Sequence, residues 1–150
     1  LVPCEDHEAL RFLREVTKEK GLNLDIDAKQ GVVTLYLNIQ GKDSGTIIGK
    51  RGQTLDAIQY LTSLVVNKGS EDYVRVVVDA ENYRAKRENT LEALAYRLAN
   101  KVIKTKRSVK LEPMNPYERK VIHAALHDHP KVMTRSEGQD PYRRVVIELK

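Results

Sequence analysis

The sequence predicts a mixed α/β (α+β) chain folded as two small units, and three observations carry that reading. Segments with an apolar residue every three or four positions are interleaved with segments in which apolar residues recur every second position, so helices and strands are mixed along the chain. A stretch from Glu81 to about Lys104 keeps helical spacing for longer than any other and separates two sets of strands. The charge also changes along the chain: residues 1–79 hold 10 Lys plus Arg against 12 Asp plus Glu, whereas residues 80–150 hold 16 against 9, within an overall net charge of +5. These features predict domains at 1–79 and 80–150, the second including the connecting helix 81–104.

Each element of the first unit has its own signal. In "HEALRFLREVTKEKG", Leu10, Leu13 and Val16 form an apolar stripe opposite Arg11, Arg14 and Glu15, which predicts an amphipathic helix ending at Gly21. Leu24, Ile26 and Ala28 then alternate, "KQG" reads as a turn, and Val33, Leu35, Leu37 and Ile39 alternate again, as in a hairpin. A short segment to Ile48, a glycine turn, and a helix with Leu55, Ile58, Leu61 and Val65 on one side follow. Tyr60 within that helix reads as a packing residue. "YVRVVVD" closes the unit as a strand with Val74, Val76 and Val78 inward.

The second unit opens with the long helix, whose stripe is Leu91, Leu94, Leu98 and Val102. Its first turns, "NYRAKREN", are poor in apolar residues and are expected to cross solvent between domains. "SVKLE" reads as a short strand. Asn115, Pro116 and Glu118 make the clearest helix start in the chain: an N-cap, a proline at the first helical position and the acidic partner of a capping box. That helix runs to about Asp128 and Pro130 stops it. "VMTRS", the turn "EGQDP", and "YRRVVIELK" with Val145, Ile147 and Leu149 alternating complete a three-stranded sheet.

Composition bounds the function. No apolar run is long enough to span a membrane and no signal-peptide pattern opens the chain, so the expected location is the cytoplasm. The single cysteine, Cys4, precludes an internal disulfide, leaves a zinc site without its usual partners, and is expected in a frayed terminus. His123, His127 and His129 lie close in sequence but lack a Cys or an H-E-x-x-H arrangement, and no Ser or Cys stands in a recognisable nucleophile context. The chain is therefore read as non-catalytic, with no cofactor and no metal.

The most specific short stretch is "TIIGKRGQTLDAIQYLTSLVV". Gly49-Lys50-Arg51-Gly52 places two cations between two glycines ahead of a helix, where a backbone free of Cβ atoms and the opening amides favour an anion. It is not a P-loop: only three residues separate Gly45 from Gly49, and Arg51 stands where a magnesium-binding hydroxyl is required. It is not a dinucleotide fingerprint either, because position 47 is not glycine. The tetrapeptide alone also suits an ordinary solvated turn.

In its full context of helix, strand, strand, short helix, glycine turn, helix and strand, with Ile48 before the loop, the segment from about 5 to 79 resembles a type II KH domain (αββααβ). That resemblance implies a loop clamping about four nucleotides by their backbone, with the amides at Lys50 and Arg51 facing phosphates. Downstream, "NPYERKVIHAALHDHPKVMTRSEGQDPYRRVVIELK" resembles the R-three-H domain, named for an Arg and a His with three residues between them, here Arg119 and His123, and the likeness covers about residues 81–150. It implies a small α/β module for single-stranded nucleic acid in which Arg119 and His123 contact or shape the binding face, the guanidinium held to phosphate. Arg143 and Arg144, in "YRRVVI", join the candidate binding residues. Tyr83, Tyr117 and Tyr142 are candidates for limited base stacking.

The two modules in this order resemble the bacterial Jag (SpoIIIJ-associated) family. Membership implies a cytoplasmic protein that binds single-stranded RNA, with single-stranded DNA as the other candidate, and a post-transcriptional role linked to cell-envelope growth, division or sporulation. It also implies a small single-KH partner protein or a homodimer. The preference for RNA comes from the resemblance, since no residue here reads a 2′-hydroxyl by itself. The family usually carries a further N-terminal domain and linker, so the chain is expected to be a fragment. The competing reading is a protein–protein scaffold, with Leu24, Ile26 or Tyr36 on an interface instead of in the core.

Overall fold

A computed structural model describes residues 1–150, and its chain divides between Leu1–Arg84 and Ala85–Lys150. In the first unit β1 (Val2–Pro3), β2 (Asp25–Gln30), β3 (Thr34–Gln40) and β4 (Arg75–Ala80) form a sheet in that order. β1, β2 and β3 are antiparallel to one another in turn, and β3 and β4 are parallel, with Leu35 opposite Val76 and Leu37 opposite Val78. A parallel pair needs a crossover, and here it consists of α2 (Ser44–Ile48), a 3₁₀ turn (Lys50–Gly52) and α3 (Gln53–Asn67). With α1 (Glu8–Glu19), these helices bury Leu10, Leu13, Ile47, Leu55 and Ile58 with Leu35, Leu37, Ile39, Val76 and Val78.

Several sequence expectations are corrected here. Cys4 does not lie in a frayed end: Val2 and Pro3 pair with Gln30 and Lys29, and the Cys4 amide donates to Ala28 O at 2.9 Å. Val33 is exposed ahead of β3. Ile26 is core, whereas Tyr36 is 40% exposed. On α1 it is Thr17, beside the half-buried Val16, that faces inward. On α3 the buried stripe is Leu55, Ile58, Thr62 and Val66. A threonine fits that stripe because its hydroxyl donates to Ile58 O at 2.7 Å and so carries no unpaired donor inward. Tyr60 and Leu61, expected to pack, are exposed, as is Leu64. Asn67 then fastens the end of α3 to the start of β4, donating to Val74 O at 2.9 Å and accepting from the Val74 amide at 2.7 Å.

The second unit packs α4 (Tyr83–Thr105) and α5 (Pro116–Leu126) on a sheet ordered β5-β7-β6, where β5 is Val109–Lys110, β6 Val132–Glu137 and β7 Arg144–Leu149. Both pairings are antiparallel. α4 turns Leu91, Ala95, Ala99 and Val102 inward, its alanines letting the helix lie close to Ile122, Leu126, Val132, Val145 and Ile147; Leu94 and Leu98 are partly buried. The first turn of α4 does not cross solvent as expected. Tyr83 packs on the core of the first unit, and Arg84 donates to Val78 O at 2.9 Å and to Asp56 at 2.8 Å. In the second unit Arg87 pairs with Glu118 at 2.6 Å. Asn115 caps α5 by accepting from the Glu118 amide. On the outer face of the sheet Val146, level with Lys110 and Arg135, is also fully buried.

Candidate nucleic-acid interface

The glycine loop is built by two close approaches. α2 ends at Gly49, whose N–H donates to Gly45 O at 3.0 Å. The backbone then passes through positive φ at Gly49 (72°), Arg51 (55°) and Gly52 (75°). A Cβ on Gly49 would lie 2.2 Å from Thr54 Oγ1, and one on Gly52 would lie 2.6 Å from Tyr83 Cε2. Space and backbone conformation therefore both require glycine at these positions.

Lys50 and Arg51, between those glycines, are exposed, while Ile47 is buried and Ile48 half-buried behind them. Gly52 is the N-cap of α3 and supplies no side chain to its opening amides. The first of them, the Gln53 N–H, donates to Lys50 O; amides left open at a helix start carry partial positive charge and suit a phosphate. Asp56, in the first turn of α3, is ion-paired with Arg84 at 2.8 Å. Lys50 and Arg51 are thus the exposed cations of a loop whose flanks, Ile48 and Gly49 on one side and Gly52 on the other, are half-buried and buried.

In the second unit α5 and the β6–β7 turn bring Arg119, His123 and Arg143 together. Arg119 does not reach outward. It is 7% exposed, and its Nη1 donates to Met114 O at 2.5 Å and to Asp140 Oδ1 at 2.8 Å. The guanidinium that the sequence reading directs at phosphate is thus committed inside the unit, tying the N-terminal end of α5 to the turn. One helical turn on, His123 meets two hydroxyls of β6, with Nδ1 2.6 Å from Thr134 Oγ1 and Nε2 2.8 Å from Ser136 Oγ. Burial, then the charges of Arg119 and Arg143, hold the imidazole below its ordinary pKa of 6.5. A neutral ring has one donor and one acceptor, and rotating hydroxyls satisfy both. Arg143 donates to Gly138 O at 2.6 Å, and Arg144 is half-buried at the start of β7.

Thr134, Ser136 and Asp140 are site residues that sequence reasoning missed. Their signal is readable in retrospect: Val132, Thr134 and Ser136 share one face of β6, so an inward row changes from apolar to hydroxyl where it meets His123. His129 has other work, its Nδ1 accepting from the Lys131 amide at 3.0 Å in the turn after α5. Among the tyrosines offered for stacking, Tyr83 is committed to packing on Gly52, whereas Tyr117 and Tyr142 are exposed.

This architecture defines a two-module chain, a KH fold with a G-x-x-G loop followed by an R-three-H unit with Arg-x-x-x-His on its second helix. Residues 8–78 match the model of the KhpA/KhpB KH domain, and residues 89–149 that of the R-three-H domain. The chain is 53% identical over 145 residues to the RNA-binding protein KhpB of Clostridium symbiosum, covering 95% of this chain and 65% of that protein. It is 40% identical over 145 residues to the RNA-binding protein KhpB of Bacillus subtilis (strain 168), covering 95% of this chain and 70% of that protein. A third relative, the RNA-binding protein KhpB of Lactiplantibacillus plantarum, is 40% identical over 139 residues, covering 93% of this chain and 43% of that protein. The chain thus spans about two thirds of the first two relatives and less than half of the third. It belongs to the KhpB (Jag) family.

Proposed function

We propose that this chain is a non-catalytic protein that binds single-stranded RNA by its phosphate backbone. The observation that carries the reading is the Gly49–Gly52 loop, which takes positive φ at Gly49, Arg51 and Gly52 and exposes Lys50 and Arg51 ahead of an α3 start that no side chain caps. Phosphates accept from the loop amides while the two cations supply charge, so affinity is largely independent of base sequence and falls with salt. His123, Arg143 and Arg144 form the second contact face, and Arg119 shapes it by holding the Asp140 turn. The three relatives are all named RNA-binding proteins, which supports RNA over DNA. Family membership extends the proposal to post-transcriptional regulation linked to envelope growth, division or sporulation in the bacterial cytoplasm. No helix is long and apolar enough to cross a membrane.

The test is titration of an unstructured oligoribonucleotide against the parent chain and Lys50→Asp/Arg51→Asp over a salt series. The double variant should bind more weakly, with a log–log salt slope shallower by about 1.4 for two single-strand phosphates, and should melt close to the parent. Unchanged affinity would remove the loop from the interface.

A second reading, a KH-mediated protein contact, is favoured by one observation: Tyr60, Leu61 and Leu64 are 65%, 49% and 51% exposed along one side of α3. A small single-KH protein or a second copy is the partner this reading takes. Leu61→Glu/Leu64→Glu should abolish such association in sedimentation and leave RNA affinity in place.

A further inference from the structure

We infer that the exposed face of the C-terminal half of α4 is an additional phosphate-binding rail, formed by Arg97, Lys101 and Lys104 and continued by Lys106. This rests on the RNA-binding reading above and extends it to residues outside the glycine loop and the Arg119/His123 face.

Three observations meet here. Between Glu92 and Glu112 the chain has six cations and no carboxylate. Arg97, Lys101 and Lys104 follow one another at i, i+4 and i+7, so they line one side of α4 over about 10 Å at 1.5 Å per residue. A shallow cleft of about 370 Å³ lies among Arg97, Asn100, Lys101, Lys104 and Thr105.

The cations of this rail are exposed and have no ion-pair partner. Elsewhere in the unit Arg87 pairs with Glu118, Arg119 with Asp140, and Lys110 and Arg135 with Glu137. The helix dipole explains a cation in the last turn, such as Lys104, but not Arg97 two turns earlier.

Lys106 adds an independent sign. It ends the helix at φ 59°, its N–H donating to Val102 O at 2.9 Å. Glycine is the usual residue for that left-handed position because it has no Cβ to strain. The lysine there places a charge at the end of the rail at a cost in stability.

The occupant that fits is a nucleic-acid backbone. A row of separated point charges follows a row of phosphates, and Asn100 offers hydrogen bonds between them. Tyr96, 51% exposed and one turn from Asn100, presents a ring to a base. The same face lacks the exposed leucines or phenylalanines that would enter a lipid surface.

The experiment compares the intact chain with Arg97→Gln/Lys101→Gln/Lys104→Gln, Lys106→Gly and Lys50→Asp/Arg51→Asp. Each is titrated with a long unstructured oligoribonucleotide across a salt series, and thermal melting is recorded. The triple variant should flatten the log–log slope by about 2, which is about 100-fold in affinity between 1 M and 0.1 M salt, with melting unchanged. Lys106→Gly should bind more weakly yet melt at a higher temperature, a pairing of signs that a purely structural lysine would not give. If the loop variant loses affinity and the triple variant keeps both affinity and slope, the rail is refuted and the loop stands. A parent chain that does not bind RNA overturns both. Capture by phosphatidylcholine/phosphatidylserine vesicles that is lost in the triple variant while RNA affinity is kept would reassign the rail to a membrane and overturn the inference.

Discussion

The Tyr83 ring lies so close over Gly52 that a Cβ on the glycine would come within 2.6 Å of it. The last glycine of the loop and the first residue of α4 are therefore one packing unit. Loop geometry depends on a tyrosine 31 positions away in the sequence.

Gly52→Ala should accordingly destabilise the N-terminal unit. The positive φ at position 52 costs an alanine about 1–3 kcal/mol, and displacement of the Tyr83 ring adds to it. Thermal melting of Gly52→Ala, with and without Tyr83→Ala, separates the two contributions. The second substitution should remove the clash with the ring while the backbone cost persists.

Arg119→Ala is expected to act on stability. The substitution strips donors from Met114 O and Asp140, and loss of such a buried network costs about 1–3 kcal/mol. Melting temperature should fall, and the salt slope of RNA binding should stay that of the parent. Both bonds come from the single nitrogen Nη1, so Arg119→Lys, whose ammonium carries three donors, should recover part of that stability.

His123 should make the C-terminal unit acid-sensitive. Its folded pKa lies below the ordinary 6.5, so near that pH the unfolded chain holds more protons and protonation favours unfolding. Its contribution is complete above the ordinary value and declines as pH drops through it to the folded value. Urea melts of the parent and His123→Gln from about pH 8 to about pH 5 should show the stability difference between them shrinking with acid.

Much of this was legible in the residues. The order of elements, the glycine loop and the α5 cap all announce themselves through local chemistry, because periodicity and capping act within a few residues. Other features depend on contacts that spacing does not reveal. Thr62 reads as polar until its hydroxyl is seen returning to Ile58 O, and Tyr60 and Leu61 read as core because the inward face of α3 runs through Thr62 and Val66 instead. β1 is two residues long, too short for an alternating pattern. Arg119 stood out only through the resemblance to the R-three-H domain, and the contact it makes depends on Asp140, 21 positions on across a turn.

The proposed interface sets RNA phosphates against the loop amides. The most direct measurement is an ¹H–¹⁵N correlation spectrum of the intact chain titrated with an unstructured oligoribonucleotide. The amides from Lys50 to Thr54 should shift earliest and furthest as RNA is added. Amides there that stay fixed while RNA binding saturates would contradict that interface.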